Sequence, residues 1–238
     1  MKFLKLKLKL TIGPLAIAMI LALAVISHGY LRRNRSLSAA VFAAPAAAAA
    51  SHAQNRRYRL DASQSKFIAH AMAGGLLWFK GHDHLVAVRE FTGEAQLTPD
   101  QINSSSLEID AKAASMVETS TVFTDQQKQI IDKELREIVL QPEQYPDIVF
   151  RSRQVAVKKT APTDQYDLDI TGDLTLHGVT RQITIPTKVT LTGSDLRAVG
   201  EFSIDRGDFN IKATSAFHGL VRVRDKVKFN FDIVGHQV

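Results

Sequence analysis

Two histidines separated by one residue are the sharpest chemical feature of this chain. His82 and His84 stand in the run Gly81-His82-Asp83-His84. In an extended segment, side chains two positions apart point to the same face, so both imidazoles come within reach of one cation. A metal site here needs a third ligand, and the candidates are His70, His177, His218 and Asp83.

The same pair has two other interpretations, and the sequence leaves all three open. The imidazoles can form a polar lid at the mouth of a cavity, where they hydrogen-bond the head group of a ligand or the backbone of a turn. They can also be a purely structural pair, whose only role is to form hydrogen bonds with neighbouring protein groups. His177 and His218 each precede a glycine, which can supply the positive φ angle of a turn, so we expect these two to stabilise turns.

Catalysis has little support in the sequence. The chain has no cysteine, which excludes thiol nucleophiles, disulfides and cysteine-based metal sites. No Gly-x-Ser-x-Gly nucleophile elbow occurs. Asp167 and Asp169 are paired carboxylates, but both fall on the polar face of a predicted strand, where solvated charge is the plain interpretation. We therefore expect a protein that is not an enzyme and needs no cofactor.

The first 53 residues have the composition of an export segment. Four lysines within residues 2–9 precede an apolar stretch over 10–26, and an alanine-rich run follows over 39–50. This order predicts a secretory export signal, and hence a periplasmic or exported protein. The apolar stretch is also near the roughly 17–20 residues that span a bilayer. An uncleaved anchor in the inner membrane, with membrane association through residues 1–53, is the alternative.

The net charge of +6 belongs to this N-terminal segment. Seven of the 30 basic residues and none of the 24 acidic residues lie in 1–53, so residues 54–238 carry 23 basic against 24 acidic residues, a net charge of −1. Nucleic-acid binding requires clustered positive charge, so we expect no nucleic-acid partner. The remaining chain of about 185 residues suits one domain with a sizeable core.

Alternating apolar and polar residues predict a β-hairpin in the last third of the chain. The alternation runs over 165–176, stops at a four-residue turn, His177-Gly178-Val179-Thr180, and resumes over 182–191. Side chains of a strand alternate between two faces, so this hairpin has one apolar face that must pack on something. Similar strands are predicted over 58–60, 67–72, 85–97, 107–109, 148–157, 197–204 and 226–233. The apolar phase shifts inside 85–97, which suggests a bulge in one long strand.

One amphipathic helix interrupts the strands. Thr124 can cap its start, with Gln127 as the capping-box partner, and Pro142 ends it. A stripe at helical spacing is formed by Ile130, Ile131, Leu135, Ile138 and Val139. Just before the helix, Val122-Phe123 can dock on the rest of the domain or on a second subunit of a homodimer.

So many strands that are apolar on one face only must form a sandwich or close into a barrel. Closure into a barrel also removes exposed strand edges. A barrel of about eight strands is either filled by its own side chains or holds one small ligand. Small residues such as Ala69, Ala71, Ala95 and Ala198 leave room beside large ones. The candidate residues for a cavity wall or mouth are Phe67, His70, Trp78, Phe79, His82, His84, Phe91, Phe202, Phe209, Phe217, Phe229 and Phe231. Trp78 and Phe79 can instead belong to a packed core.

Several of these segments resemble the YceI-like family. The run Gly172-Asp173-Leu174-Thr175-Leu176-His177-Gly178-Val179-Thr180 is similar to the signature hairpin of that family. The end of the helix over 135–142, followed by Tyr145-Pro146, Ile148 and Phe150, resembles its helix-to-strand segment. Phe91-Thr92-Gly93, the opening Tyr58-x-Leu60-Asp61 and the closing strand fit as well. The hairpin and the Tyr-Pro segment together are fairly specific.

The resemblance implies a mainly β fold: a single antiparallel, lipocalin-like β-barrel over residues 54–238 with one inserted amphipathic helix and an apolar tunnel. Members of the family are associated with holding polyisoprenoid chains, as in long-chain quinones, or other amphiphiles. The resemblance implies no catalysis and assigns no contact residue. Many members carry a Lys-His pair where this chain has Gly81-His82-Asp83-His84. The resemblance therefore does not predict how this chain contacts the head group of a ligand.

Three functions are predicted, in order of preference. The first is a periplasmic binding or carrier protein for a polyisoprenoid or quinone-like lipid. The second is a metal-binding envelope protein with His82 and His84 as ligands. The third is a filled barrel that serves as an interaction module.

Overall fold

The computed structural model describes residues 55–161, 164–212, 214–216, 218 and 220–238. The predicted export signal or anchor, residues 1–53, lies outside this range, and so does the cavity candidate Phe217. The strands are β1 (Arg56–Gly74), β2 (His84–Val88), β3 (Phe91–Leu97), β4 (Ser106–Lys112), β5 (Met116–Glu118), β6 (Asp147–Ala161), β7 (Gln165–Leu176), β8 (Val179–Thr192), β9 (Asp195–Asp205), β10 (Ser215–Ala216) and β11 (Val221–Gln237). The helix α1 (Asp125–Glu134) continues as a π-helical segment over Leu135–Leu140.

Eight of the strands close into an antiparallel barrel in the order β1-β3-β4-β6-β7-β8-β9-β11. Closure comes from the pairing of β1 with β11, which runs from Tyr58↔Gln237 to Gly74↔Arg222. Because every strand of this ring pairs with two neighbours within it, the ring itself has no free edge. The strands β2, β5 and β10 extend the wall at one end of the barrel. The prediction of a single antiparallel barrel with one inserted helix is confirmed, and the sandwich is excluded.

The strand predicted over 85–97 is two strands rather than one strand with a bulge. β2 pairs with the second half of β1, β3 pairs with the first half, and the chain breaks at Arg89 and Glu90. The Glu90 N–H donates to Ser115 Oγ at 3.0 Å, and the Glu90 carbonyl accepts from the Lys112 N–H at 2.9 Å. Ser115 ends the matching break between β4 and β5. The break between β2 and β3 therefore lies next to the break between β4 and β5. The two hydrogen bonds give the backbone N–H and carbonyl of Glu90 their partners there.

The turn of the β7–β8 hairpin is shorter than predicted. Leu176 pairs directly with Val179, so only His177 and Gly178 form the turn. Their φ angles are 50° and 74°, as a two-residue type I′ turn requires. A Cβ at Gly178 would lie 2.7 Å from the ring of Tyr145, so only glycine fits this position without displacing that ring.

The helix begins as predicted but turns its apolar face differently near its end. Thr124 Oγ1 accepts from the Gln127 N–H at 3.3 Å, and Gln127 Oε1 accepts from the Thr124 N–H at 2.8 Å, which completes the capping box. Ile130 and Ile138 are 55% and 41% exposed, whereas Leu140 is buried. The π-helical spacing of i to i+5 puts Leu140 on the face of Leu135, in place of the predicted Ile138.

No helix within the described part of the chain is long and apolar enough to cross a membrane.

Candidate functional site: an apolar cavity in the barrel

The barrel interior contains an apolar cavity with two adjoining lobes of about 160 and 120 Å³. The helix lobe lies beside the helix, and Ile131, Leu135, Val139 and Leu140 form part of its wall. The far lobe lies between the first half of β1 and the opposite strands, with Leu60, Leu168 and Ile233 in its wall. The two lobes share the wall residues Phe67, Ala111, Ile148, Leu174 and Phe202, so they adjoin along the barrel.

The cavity exists because small side chains stand where large ones would fill the barrel. Ala69 and Ala71 line the helix lobe, and Ala95 and Ala198 line the far lobe, as their small size predicts. Ala111 lies between the lobes and is only 3% exposed. The barrel is therefore not filled by its own side chains, contrary to the third functional prediction.

Five phenylalanine rings form a waist between the lobes. The Phe67 ring meets Phe91, Phe229 and Phe231 edge to face, with centroid distances of 6.4, 6.1 and 6.3 Å. Phe202 stacks on Phe229 with centroids 4.9 Å apart and rings nearly parallel at 8°. All five rings were predicted as wall residues, and all five line one or both lobes. Contact with a ligand remains a prediction for them.

Phe209 does not line the cavity, although it was a candidate. It lies in the short 3-10 helix Arg206–Phe209 after β9 and is only 1% exposed. It therefore belongs to the packed core next to the cavity.

Four other predicted residues also lie outside the cavity wall: His70, Trp78, Phe79 and His82. Ala69 and Ala71 point inward from β1, so strand alternation sends His70 to the outer face, where its Nε2 lies 2.9 Å from Asp83 Oδ2. Trp78 and Phe79 lie in a 3-10 turn after β1 and are 57% and 61% exposed, so they belong neither to the wall nor to the core. His82 precedes β2 and is also exposed.

His84 lines the helix lobe and is held by a buried carboxylate. Its Nδ1 lies 2.9 Å from Oε2 of Glu118, whose side chain is fully buried. Glu118 also accepts the N–H groups of Leu85 at 3.1 Å and Ser120 at 2.7 Å. Burial alone would raise the pKa of Glu118, but the hydrogen bonds from His84, Ser120 and Leu85 outweigh it and lower the pKa. Glu118 is therefore ionised at neutral pH.

The His82–His84 pair holds an aromatic ring between its two imidazoles. Phe123 stacks on His84 with centroids 5.1 Å apart, and His82 meets the same ring edge to face at 5.8 Å. Both imidazoles do point to one side, as predicted, but what lies between them is apolar. No group of three His, Cys, Asp or Glu side chains that can hold a metal occurs among the residues the structure describes. The pair docks the segment before the helix onto the barrel.

His177 has the turn-stabilising role expected of it. Its Nε2 lies 3.0 Å from Gln141 Oε1, and its ring packs on Tyr145 with centroids 4.2 Å apart. These contacts tie the β7–β8 turn to the end of the helix, so His177 supports the wall of the helix lobe without lining it.

The wall of the helix lobe includes polar residues that sequence reasoning missed. They are Glu134, Arg206, Lys212 and Thr214, and they join His84 in the wall. Arg206 donates to the Ile211 carbonyl at 2.7 Å and pairs with Asp225, while its Nε is buried with no hydrogen-bond partner in the described part of the chain. These residues follow strands or sit on the helix, so no period-two pattern marks them. The far lobe has only Gln96, Ser105, Ser106 and Thr187 as polar wall residues.

Comparison with known proteins agrees with this architecture. The family model described as YceI-like domain matches residues 58–235. Protein YceI of Escherichia coli O17:K52:H18 (strain UMN026 / ExPEC) is 38% identical over 105 residues, which cover 40% of this chain and 50% of that protein. Protein YceI of Shigella flexneri is 37% identical over 105 residues with the same coverage. The chain thus spans about half the length of the curated relatives it matches.

Two solved structures share the fold. Burkholderia cenocepacia BcnA superimposes with a TM-score of 0.57 at 21% identity, covering 74% of this chain and 98% of that one. A polyisoprenoid binding domain from Saccharophagus degradans, implicated in plant cell wall breakdown, gives a TM-score of 0.54 at 13% identity, covering 76% and 98%. At these identities the likeness shows the fold alone. With the family model matching residues 58–235, from β1 into β11, this chain belongs to the YceI-like family.

Proposed function

We propose that this protein binds a polyisoprenoid or similar amphiphilic lipid in its barrel cavity and carries it in the periplasm. The observation that carries the proposal is the two-lobed cavity, whose wall is almost entirely apolar and whose charged groups gather at one end. This is the polarity of a long hydrocarbon with one polar end. The proposed role is binding, without catalysis.

The energetics of an apolar chain in this cavity are favourable. A cavity of about 150 Å³ lined by Leu, Ile and Phe side chains stays free of water. The far lobe is of this kind, so a hydrocarbon chain has little bound water to displace there. Each buried CH₂ group contributes roughly 0.8 kcal/mol. A chain that occupies both lobes can therefore bind tightly with few polar contacts.

The orientation of the ligand follows from the charges. The far lobe has no charged wall residue, so the hydrocarbon belongs there and at the phenylalanine waist. The helix lobe carries His84, Arg206 and Lys212, which can donate to the oxygen atoms of a head group. The buried Arg206 Nε, which lacks a hydrogen-bond partner in the described chain, is a donor of this kind.

Two further observations support the class of ligand and the compartment. One relative of the same fold is a polyisoprenoid binding domain. The N-terminal 53 residues have the order of charges and apolar residues typical of an export signal or inner-membrane anchor.

The experiment fills the junction between the lobes. In Ala111→Phe, a phenyl group occupies the place where both lobes meet. We expect this variant to bind a long-chain quinone at least tenfold more weakly than the parent protein. Binding is measured as the quinone absorbance that co-elutes with the protein. Ala114→Phe, three residues along and exposed, is the matched control and should bind like the parent protein. A cooperative unfolding transition checks that Ala111→Phe folds, since overpacking costs about 1–3 kcal/mol. Equal binding by both variants would show that the ligand does not use the cavity.

A further inference from the structure

A cluster of exposed apolar side chains lies at one end of the barrel. Leu76, Trp78 and Phe79 are 77%, 57% and 61% exposed, and Leu220 is 42% exposed. The Leu77 N–H donates to the Leu220 carbonyl at 2.9 Å, which joins the two segments into one surface. We call residues 76–79 together with Leu220 the apolar tip. Contiguous exposed apolar surface of this kind marks a site of interaction.

A glycine turn and backbone hydrogen bonds fix the conformation of the apolar tip. Gly75 turns the chain with φ +89°, and a Cβ at this position would lie 2.5 Å from the Leu220 carbonyl oxygen. The Lys80 N–H donates to the Leu77 carbonyl at 2.9 Å, and the Gly81 N–H donates to the Trp78 carbonyl at 3.0 Å. The rings of Trp78 and Phe79 meet edge to face, with centroids 6.4 Å apart. The backbone thus holds both rings outward.

The tip lies at the same end of the barrel as the helix lobe. Val223 lines that lobe and pairs with Ala73, and the next pair along is Gly74 with Arg222. The tip begins within three residues of these pairs on both segments. A lipid that enters or leaves the helix lobe at this end therefore passes close to the tip.

Two cationic side chains, Lys80 and Arg222, lie beside the apolar tip. Lys80 and Arg222 form no ion pair or hydrogen bond through their side chains with any residue in the described ranges, and the Lys80 ammonium lies 6.0 Å from the Phe79 ring centre. Arg222 and Arg224 line a polar cleft beside Trp78 of about 260 Å³. The nearby carboxylates are engaged, since Asp225 pairs with Arg206 and Asp83 with His70.

We propose that the apolar tip inserts into the surface of an anionic lipid bilayer, with Lys80 and Arg222 facing lipid phosphates. Trp and Phe beside Lys and Arg are typical of segments that lie at the membrane interface. Anionic lipids attract such cations. A second copy docked on the same surface by a two-fold axis would bring two sets of unpaired cations together, which is unfavourable. The inference rests on the proposed function, because it gives the bound lipid a route to the membrane.

The chain carries its own probe for this proposal, because Trp78 is the only tryptophan in the sequence. The full chain is mixed with vesicles of phosphatidylcholine, with or without phosphatidylglycerol, and with acyl chains brominated or not. Vesicles that contain phosphatidylglycerol should shift the emission of Trp78 to shorter wavelength, and bromine should quench it. Quenching by bromine on the acyl chains requires that the Trp78 ring itself enters the bilayer, so the signal reports insertion of the tip rather than attachment of the chain through residues 1–53.

Charge variants test the role of the cations. Arg222→Ser should weaken binding to anionic vesicles about fivefold, the ratio that corresponds to about 1 kcal/mol for one cation near the surface. Arg57→Ser is the matched control, because Arg57 is an exposed arginine at the start of β1, at the other end of the barrel. It should bind vesicles like the parent protein.

Three outcomes separate this proposal from the proposed function. A protein that binds isoprenoid while Trp78 is neither shifted nor quenched by vesicles overturns the membrane proposal alone. An emission shift that depends on protein concentration without vesicles assigns the tip to a second copy, and also overturns it. Quenching by brominated vesicles in a protein that binds no isoprenoid upholds the docking surface and refutes the proposed cargo.

Discussion

At the scale of single residues, Glu118 links the helix segment to the barrel. It is a buried carboxylate that accepts hydrogen bonds from His84 and from two backbone N–H groups, and its N–H donates to Asp132 Oδ1 at 2.8 Å on α1. Sequence alone does not identify it, because Glu118 ends a strand of three residues, Met116–Glu118, with no pattern of its own. The His-x-His motif beside it was visible, but its partner Phe123 becomes evident only in the folded chain.

The pH dependence of stability should reflect Glu118. Its pKa is lowered from 4.5 in the folded protein, so its contribution is present above that value and is lost as the pH falls through the folded pKa. Glu118→Gln removes this contribution and leaves His84 without its charged acceptor. We expect the variant to lose about 1–3 kcal/mol at neutral pH, measured by urea unfolding.

The difference between Glu118→Gln and the parent protein should shrink as the pH falls below 4.5, where the unfolded chain takes up the proton, and on through the lowered pKa of the folded carboxylate. Glu137→Gln, on the exposed side of the helix, is the control and should change stability little at any pH. A difference for Glu118→Gln that stays constant from neutral to acid pH would contradict the assigned ionisation.

At the scale of elements, the features that depend only on neighbouring residues were predicted correctly from the sequence. The capping box at Thr124 and the strand alternation over 165–176 are properties of neighbouring residues, and both are present in the structure. The shift of the helix face onto Leu140 and the break at Arg89 and Glu90 depend on contacts between distant segments. Those contacts have no signature in the sequence around them, so the predictions failed there.

The β7–β8 turn allows strain to be separated from steric clash. Gly178 in this turn and Gly193 in the turn between β8 and β9 both have positive φ angles, 74° and 61°. A Cβ at Gly178 would meet the Tyr145 ring, whereas a Cβ at Gly193 would meet nothing within 4 Å. Gly193→Ala should cost about 1–2 kcal/mol, the price of the left-handed conformation alone. Gly178→Ala should cost measurably more, because the ring of Tyr145 must also move.

Thermal or urea unfolding of the two glycine variants measures this difference directly. Equal losses of stability would show that the Tyr145 ring yields freely, and that His177 and Tyr145 do not fix the turn against the end of the helix.

At the scale of the whole molecule, strands with one apolar face predicted a sandwich or a closed barrel, and the resemblance to the YceI-like family implied the barrel. Neither the strand pattern nor the choice of barrel determines whether there is a cavity. Small side chains indicated room inside, and their positions at Ala69, Ala71, Ala95 and Ala198 were correct. Whether that space is empty depends on how eight strands and a helix pack together, which periodicity does not specify. For the same reason, the polar end formed by Arg206 and Lys212 appeared only in the structure.

Native mass spectrometry of the protein purified from its native host measures whether the cavity holds a lipid. We expect a bound mass that denaturation releases as an isoprenoid or quinone-like lipid, and that Ala111→Phe greatly reduces. A chain that carries no lipid and takes up no added isoprenoid would contradict the account.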